Sequence, residues 1–198
     1  MARTGRRPGN QDTREAILAA AKQAFAERGY DKASIRQIAT GAGVDPALVH
    51  HYFGTKEQLF LEAVQAPIDP RELIPQVLAG GVEGVGERMV RTFLRVWDSP
   101  RGATAAALLR SAVTNEWTAR MLREFVMTQI LRRAIRELGL DGPDALLRAA
   151  LVASQILGLA TTRYVLKLEP MASESPDQLA AAIGPTIQRY LTGDIGQG

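Results

Sequence analysis

Apolar residues return at intervals of three and four along almost the whole chain, runs of alternating Val, Ile and Thr are missing, and Gly or Pro interrupts the pattern at intervals. This spacing places one apolar stripe along a helix and leaves nothing for a half-buried strand, so it implies an all-α fold. The 198 residues, 46% of them hydrophobic, suffice for one large domain or two small ones. Cysteine is absent, which removes disulfides, thiolate zinc sites, thiol nucleophiles and iron–sulfur clusters, and suits a reducing, intracellular setting. Polar residues from Asn10 to Glu15, and Lys22 closing the stretch Ala16 to Ala21, leave no apolar signal-peptide core. The longest apolar run, Ala149 to Ala160, contains Ser154 and Gln155 and falls short of the ~18 residues a membrane span needs, so neither export nor a transmembrane helix is expected.

Helix punctuation sets the organisation. A first helix is predicted from Asp12, with Ile17, Ala20, Ala21, Ala24 and Phe25 inward, to Arg28; Gly29 stops it and Tyr30 folds back. Ser34 and Gln37 have capping-box spacing at the head of a second helix, which buries Ile35, Ile38 and Ala39 and ends at Gly41 or Ala42. Gly43 permits a sharp turn, Val44 plugs the space between helices, and Asp45 with Pro46 makes an N-cap and first position for a third helix ending near Phe53 and Gly54. Thr55 and Gln58 repeat the capping box before a fourth helix to about Ala66. Pro67, Asp69 and Pro70 then mark a boundary. Longer helices follow over 71–79, 82–97, 101–113, 116–138, 143–168 and 176–191. The expected division is a basic arm (1–11), a small helical domain (12–66) and a larger helical domain (67–198).

The second and third helices have the length and turn of a helix-turn-helix, although spacing alone leaves a plain three-helix subdomain open. The run from Ser34 to Phe60, and above all Tyr52-Phe53-Gly54-Thr55-Lys56, closely resembles the DNA-binding domain of the TetR family of bacterial transcriptional regulators. The resemblance covers residues 12 to 64. It implies an all-helical homodimer with an N-terminal DNA-binding domain and a C-terminal domain that binds an inducer and the second subunit. Carried over by position, it makes Pro46, Ala47, His50 and Tyr52 groove or phosphate contacts, and Ser34 and Lys56 phosphate anchors. Ser34 and Thr55 each open a helix, where unpaired N–H groups and partial positive charge receive phosphate oxygens. Arg36 is a further candidate reader, its other reading being a solvated helix face. The third helix has no Arg, Lys, Asn or Gln for bidentate base contacts, which points to partial reading by shape. Arg3, Arg6 and Arg7 give the arm +3, equal to the formal net charge of the whole chain, and suit a minor groove. A solubilising tail is the plain alternative.

His50 and His51 are the only two histidines, and successive helical residues do not share a face, so no metal site is expected; His51 is expected either to pack or to lie as a polar residue at the domain surface. Gly80, Gly81, Gly84 and Gly86 do not spell a nucleotide-binding fingerprint, and no catalytic triad is evident. Neither a cofactor nor enzymatic activity is expected. For the larger domain, the resemblance implies a mainly apolar pocket lined by some of Phe93, Trp97, Trp117, Met121, Phe125 and Tyr164, with Gln155 and Thr162 as polar contacts; ordinary core packing remains open for each. Ala149, Ala153, Ile156, Leu157 and Ala160, with Leu179, Ala182, Ile183 and Ile187, supply a dimer face on the last two helices. Pairing there would set two recognition helices roughly 34–36 Å apart. The expected function is a homodimeric, cytoplasmic repressor, nucleoid-associated when bound to a palindromic double-stranded operator. A hydrophobic or amphipathic small molecule would release it, and no membrane partner is expected. An activator, or a helical ligand-binding or scaffold protein without DNA function, is the competing reading.

Overall fold

The computed structural model describes residues 8–196. It is 77% helical with no strand among the described residues, which is the all-α class. Two compact units divide the chain at Ala66 and Pro67, except that Arg120–Glu124 packs with the first.

The first unit contains α1 (Pro8–Lys32), α2 (Ile35–Ala42), α3 (Pro46–Phe53) and α4 (Lys56–Ala63). α1 begins at Pro8 rather than Asp12; proline suits a first helical position because its missing N–H would have no partner there. Gly29 adopts φ 75 and ψ 170 and breaks the helix, as the sequence predicts, but a helical turn resumes to Lys32. Tyr30 does fold back: its ring lies 6.0 Å from Phe25 and 5.0 Å from Phe60, which themselves meet edge-on at 4.9 Å. Around these rings Ile17, Ala21, Ile38, Ala39, Val49, Phe53 and Leu59 complete the buried core. α4 stops at Ala63, short of Ala66, because Gln65 turns left-handed (φ 53) and the Ala66 N–H returns to the Leu61 carbonyl.

The second unit runs through α5 (Pro70–Leu78), α6 (Val85–Trp97), α7 (Pro100–Thr114), α8 (Glu116–Glu124), α9 (Arg132–Leu138), α10 (Ala145–Ala160) and α11 (Pro176–Thr192). Asp69 caps α5 by accepting the Arg71 N–H, and the Arg71 guanidinium returns to the same carboxylate at 2.6 Å, holding its pKa below the usual value. The core centres on the α6–α11 crossing, with Val85, Val90, Leu94, Ile187 and Leu191 buried alongside Val152 and Leu159 of α10.

Two expected helices prove composite. The stretch 116–138 passes through a π-helical segment, Phe125–Leu131, between α8 and α9, and α10 ends in a second, Thr161–Val165. Apolar spacing gives no sign of this, because one buried position in the first segment is the polar Gln129. α6 starts at Val85 rather than Val82, since Gly84 takes a left-handed turn. The stretch Ala145–Val165 is 21 residues at hydropathy 1.4, long and apolar enough by length and composition to cross a membrane, contrary to the run-length reading. Ser154 and Gln155 interrupt the apolar run but not the helix. Ala145, Ala149, Val152, Leu159 and Ala160 nevertheless face the unit's own core.

Candidate nucleic-acid interface

The helix-turn-helix is built by its caps. Ser34 Oγ accepts the Gln37 N–H at 3.2 Å and Gln37 Oε1 accepts the Ser34 N–H at 3.1 Å, closing the box expected at α2. Gly43 lies in the left-handed region (φ 68, ψ 30), and its N–H and that of Val44 return to the last carbonyls of α2. Asp45 Oδ1 accepts the Ala47 N–H at 2.7 Å, with Pro46 at the first position of α3. Thr55 and Gln58 form a second reciprocal box at α4. The two boxes thereby fix where the N-termini of α2 and α4 begin.

Val49 and Phe53 bury one side of α3. Ala47 and His51, four residues apart, occupy the opposite side, with Leu48 beside them at 38% exposure. His51 and Leu48 are thus outward residues of α3 that the family correspondence does not name as contacts, and Leu48 is exposed although its apolar side chain suggests a part in the core; the signal was the phase of α3 relative to its two buried anchors. His50 and Tyr52 lie on the two flanks. The His50 Nδ1 is 2.8 Å from the Gly54 carbonyl, and since a carbonyl only accepts, Nδ1 carries the proton. Tyr52 is half-buried, with its ring 5.3 Å from His51 and 6.4 Å from Phe53. Arg36 is exposed on α2, while Pro46 is half-buried at the head of α3.

Lys56 is more constrained than a free phosphate anchor. Its Nζ lies 4.5 Å over the Tyr30 ring and donates to the Asp31 carbonyl at 3.4 Å. Partial burial pushes its pKa below the ordinary value, with the Asp31 carboxylate pulling the other way. Arg14 of α1 pairs with Glu62 of α4 and stacks 4.9 Å over Phe53, tying three helices together. Arg3, Arg6 and Arg7 lie outside the described residues.

Within the second unit, Phe93, Trp97 and Tyr164 form a half-buried aromatic stack, with centroids 5.2 and 5.1 Å apart. Tyr164 donates its hydroxyl proton to Asp98 at 2.8 Å, and burial followed by this contact pushes its pKa up. Arg163 donates to the Met171 and Glu174 carbonyls and fixes the segment after the second π-helical turn. The other proposed lining residues are dispersed. Phe125 is buried in the second unit, Trp117 is 39% exposed, and Met121 is buried in the first unit. The Thr162 hydroxyl bonds its own helix at Gly158, and Gln155 is half-buried. Gln129, unmarked by the sequence, is a buried amide that donates to Thr128 Oγ1 at 3.0 Å. Of the proposed dimer face, Ala149, Ala160, Leu179 and Ile187 are consumed by the chain's own core; Leu157 and Ala182 are exposed, and Ala153, Ile156 and Ile183 are half-exposed.

Residues 17–63 match the family described as bacterial regulatory proteins, tetR family, and residues 83–191 match the tetracyclin repressor-like C-terminal domain. The second match alone covers more than half of the chain. The chain belongs to the TetR family of bacterial transcriptional regulators, DNA-binding helix-turn-helix proteins. It is 42% identical over 53 residues to the HTH-type transcriptional regulator BetI of Rhizobium meliloti (27% of this chain, 26% of BetI). It is also 41% identical over 58 residues to the HTH-type transcriptional repressor AcnR of Corynebacterium efficiens (29% of this chain, 30% of AcnR). The chain thus spans under a third of the length of these relatives. A crystal structure of a TetR-family regulator from Streptomyces coelicolor A3 is 45% identical, covering 95% of this chain and 99% of that one, with a TM-score of 0.48.

Proposed function

We propose that the chain is a cytoplasmic homodimeric repressor that binds a palindromic double-stranded operator and is released by a hydrophobic or amphipathic small molecule. The observation that carries this reading is the doubly capped α2–α4 segment. It holds an outward α3 face of Ala47, His51 and Leu48 between two helix N-termini, at Ser34 and Thr55, that suit phosphates. Pro46, Ala47, His50 and Tyr52 meet the groove or its rim, Ser34 and Lys56 hold phosphates, and Arg36 with Arg3, Arg6 and Arg7 adds charge. The Phe93–Trp97–Tyr164 stack is the apolar part of the ligand site, with Asp98 and Tyr164 as its polar end. Pairing uses the surface of α10 and α11 that remains open, chiefly Leu157, Ala153, Ile156, Ala182 and Ile183. A ligand acts by linkage: it weakens operator binding only as far as it prefers the state that binds DNA poorly.

Selection from a random duplex pool by the full-length protein tests the reading. An inverted-repeat motif is expected, bound by two chains at sedimentation equilibrium and with a steep salt dependence. A monomer at high concentration that enriches no sequence refutes it and leaves the ligand-binding or scaffold reading.

A further inference from the structure

The Ala26 carbonyl and the Tyr30 N–H are the pair that would bond to each other in an unbroken helix. Across the Gly29 break each meets a side chain from the last turn of α8 instead. Arg120 donates from Nη1 to the Ala26 carbonyl at 3.0 Å, and Glu124 Oε2 accepts the Tyr30 N–H at 2.9 Å. The approach is close: a β-carbon on Gly29 would sit 3.2 Å from Glu124 Oε2. Tyr30 in turn lies beneath the Lys56 ammonium, which also donates to the carbonyl of the next residue, Asp31.

We propose that Glu124 is a positioning residue for DNA binding: by holding the Tyr30 backbone it seats the Tyr30 ring and Asp31 carbonyl that aim Lys56 at a phosphate from the head of α4. The inference rests on the proposed role of Lys56 as a phosphate anchor. It runs against simple electrostatics, because deleting an acidic side chain from a DNA-binding unit removes repulsion and should strengthen binding. The sign of the effect therefore separates positioning from charge. It also gives Arg120–Glu124 a task in the first unit, although the chain on both sides of that turn belongs to the second.

The test uses full-length protein and a duplex enriched by the wild type, titrated from 50 to 200 mM salt. Lys56→Ala and Glu124→Ala are each expected to weaken binding roughly three- to tenfold and to shallow the salt slope by about one. Because Glu124 acts through Lys56, the double variant should bind no more weakly than Lys56→Ala alone. Glu124→Gln removes the charge but keeps a carbonyl acceptor, and should bind like the wild type. Losses that multiply in the double variant, or a Glu124→Ala protein that binds as well as the wild type or better, overturn the proposal. Should Glu124→Ala fail to fold, Arg120→Met breaks the other half of the grip and is carried through the same cycle with the same criteria. A wild type that enriches no duplex refutes the DNA reading itself, an outcome distinct from either.

Discussion

Gly86→Ala should destabilise the second unit, although it replaces a poor helix former with the best one. Gly86 opens α6 against α11, and an added β-carbon would lie 2.1 Å from the Gly184 carbonyl oxygen and 2.8 Å from the Gln188 nitrogen. Both are backbone atoms that no rotamer change can move. The shorter distance falls about 1.3 Å below the 3.4 Å at which ordinary contact begins, so the two helices must part by about that much. Val85, Val90, Leu94 and Ile187 then lose contact around the crossing, and the bond from the Gly86 N–H to Gln188 Oε1 stretches from 3.2 Å. Overpacking costs about 3 kcal/mol at the upper end of its usual range, and the helix preference of alanine over glycine returns about 1 kcal/mol. The net, about 2 kcal/mol, corresponds to a fall of about 4–8 °C in Tm for a chain of this size. Melting followed by circular dichroism at 222 nm reads it, with Gly41→Ala as the control of opposite sign, since a β-carbon there meets only Ala20 Cβ at 3.5 Å. A Gly86→Ala protein that melts at or above the wild-type temperature would refute the close crossing.

Acid should weaken the start of α5. The folded pKa of Asp69 is depressed by the Arg71 hydrogen bonds, so its contribution is whole above the ordinary 3.8 and disappears as pH falls through and below that value; the wild-type advantage over Asp69→Asn in Tm should shrink across that window. Alkali acts on Tyr164 in the other direction. Its folded pKa is raised by burial and Asp98, so its contribution is whole below 10.0 and is lost as pH climbs past it. In an absorbance titration, Tyr164→Phe should delete a phenol that ionises above the ordinary 10.0, and loss of one that ionises at or below that value would contradict the Asp98 contact. Ser34→Ala removes the N-cap of α2 and should cost about 1 kcal/mol in urea unfolding; an unchanged midpoint would mean the box contributes nothing.

What the sequence could reveal here depended on how local the physics was. Ser34 with Gln37, Asp45 with Pro46, and Thr55 with Gln58 satisfy N–H groups two or three residues away, so residue type and spacing suffice to place α2, α3 and α4. Gly29 and Gly43 likewise announce left-handed turns in their own backbone. The π-helical segments escaped because their bonds run one residue further along the same apolar pattern, and Gln129 shows that a buried place need not be apolar.

The division of small residues along α10 and α11 was equally hidden. Ala149 and Ala182 look alike in sequence, yet one is buried within the chain and the other is open, because only the register of the α10–α11 packing decides which stripe each helix turns inward. The same reasoning explains Lys56. Its charge marks it as an anchor, but the ring that seats it is 26 positions earlier and the carboxylate that holds that ring's backbone is 68 positions later. A reader of local spacing sees the cation and not its seat. Partners of that kind are visible only once the chain has folded.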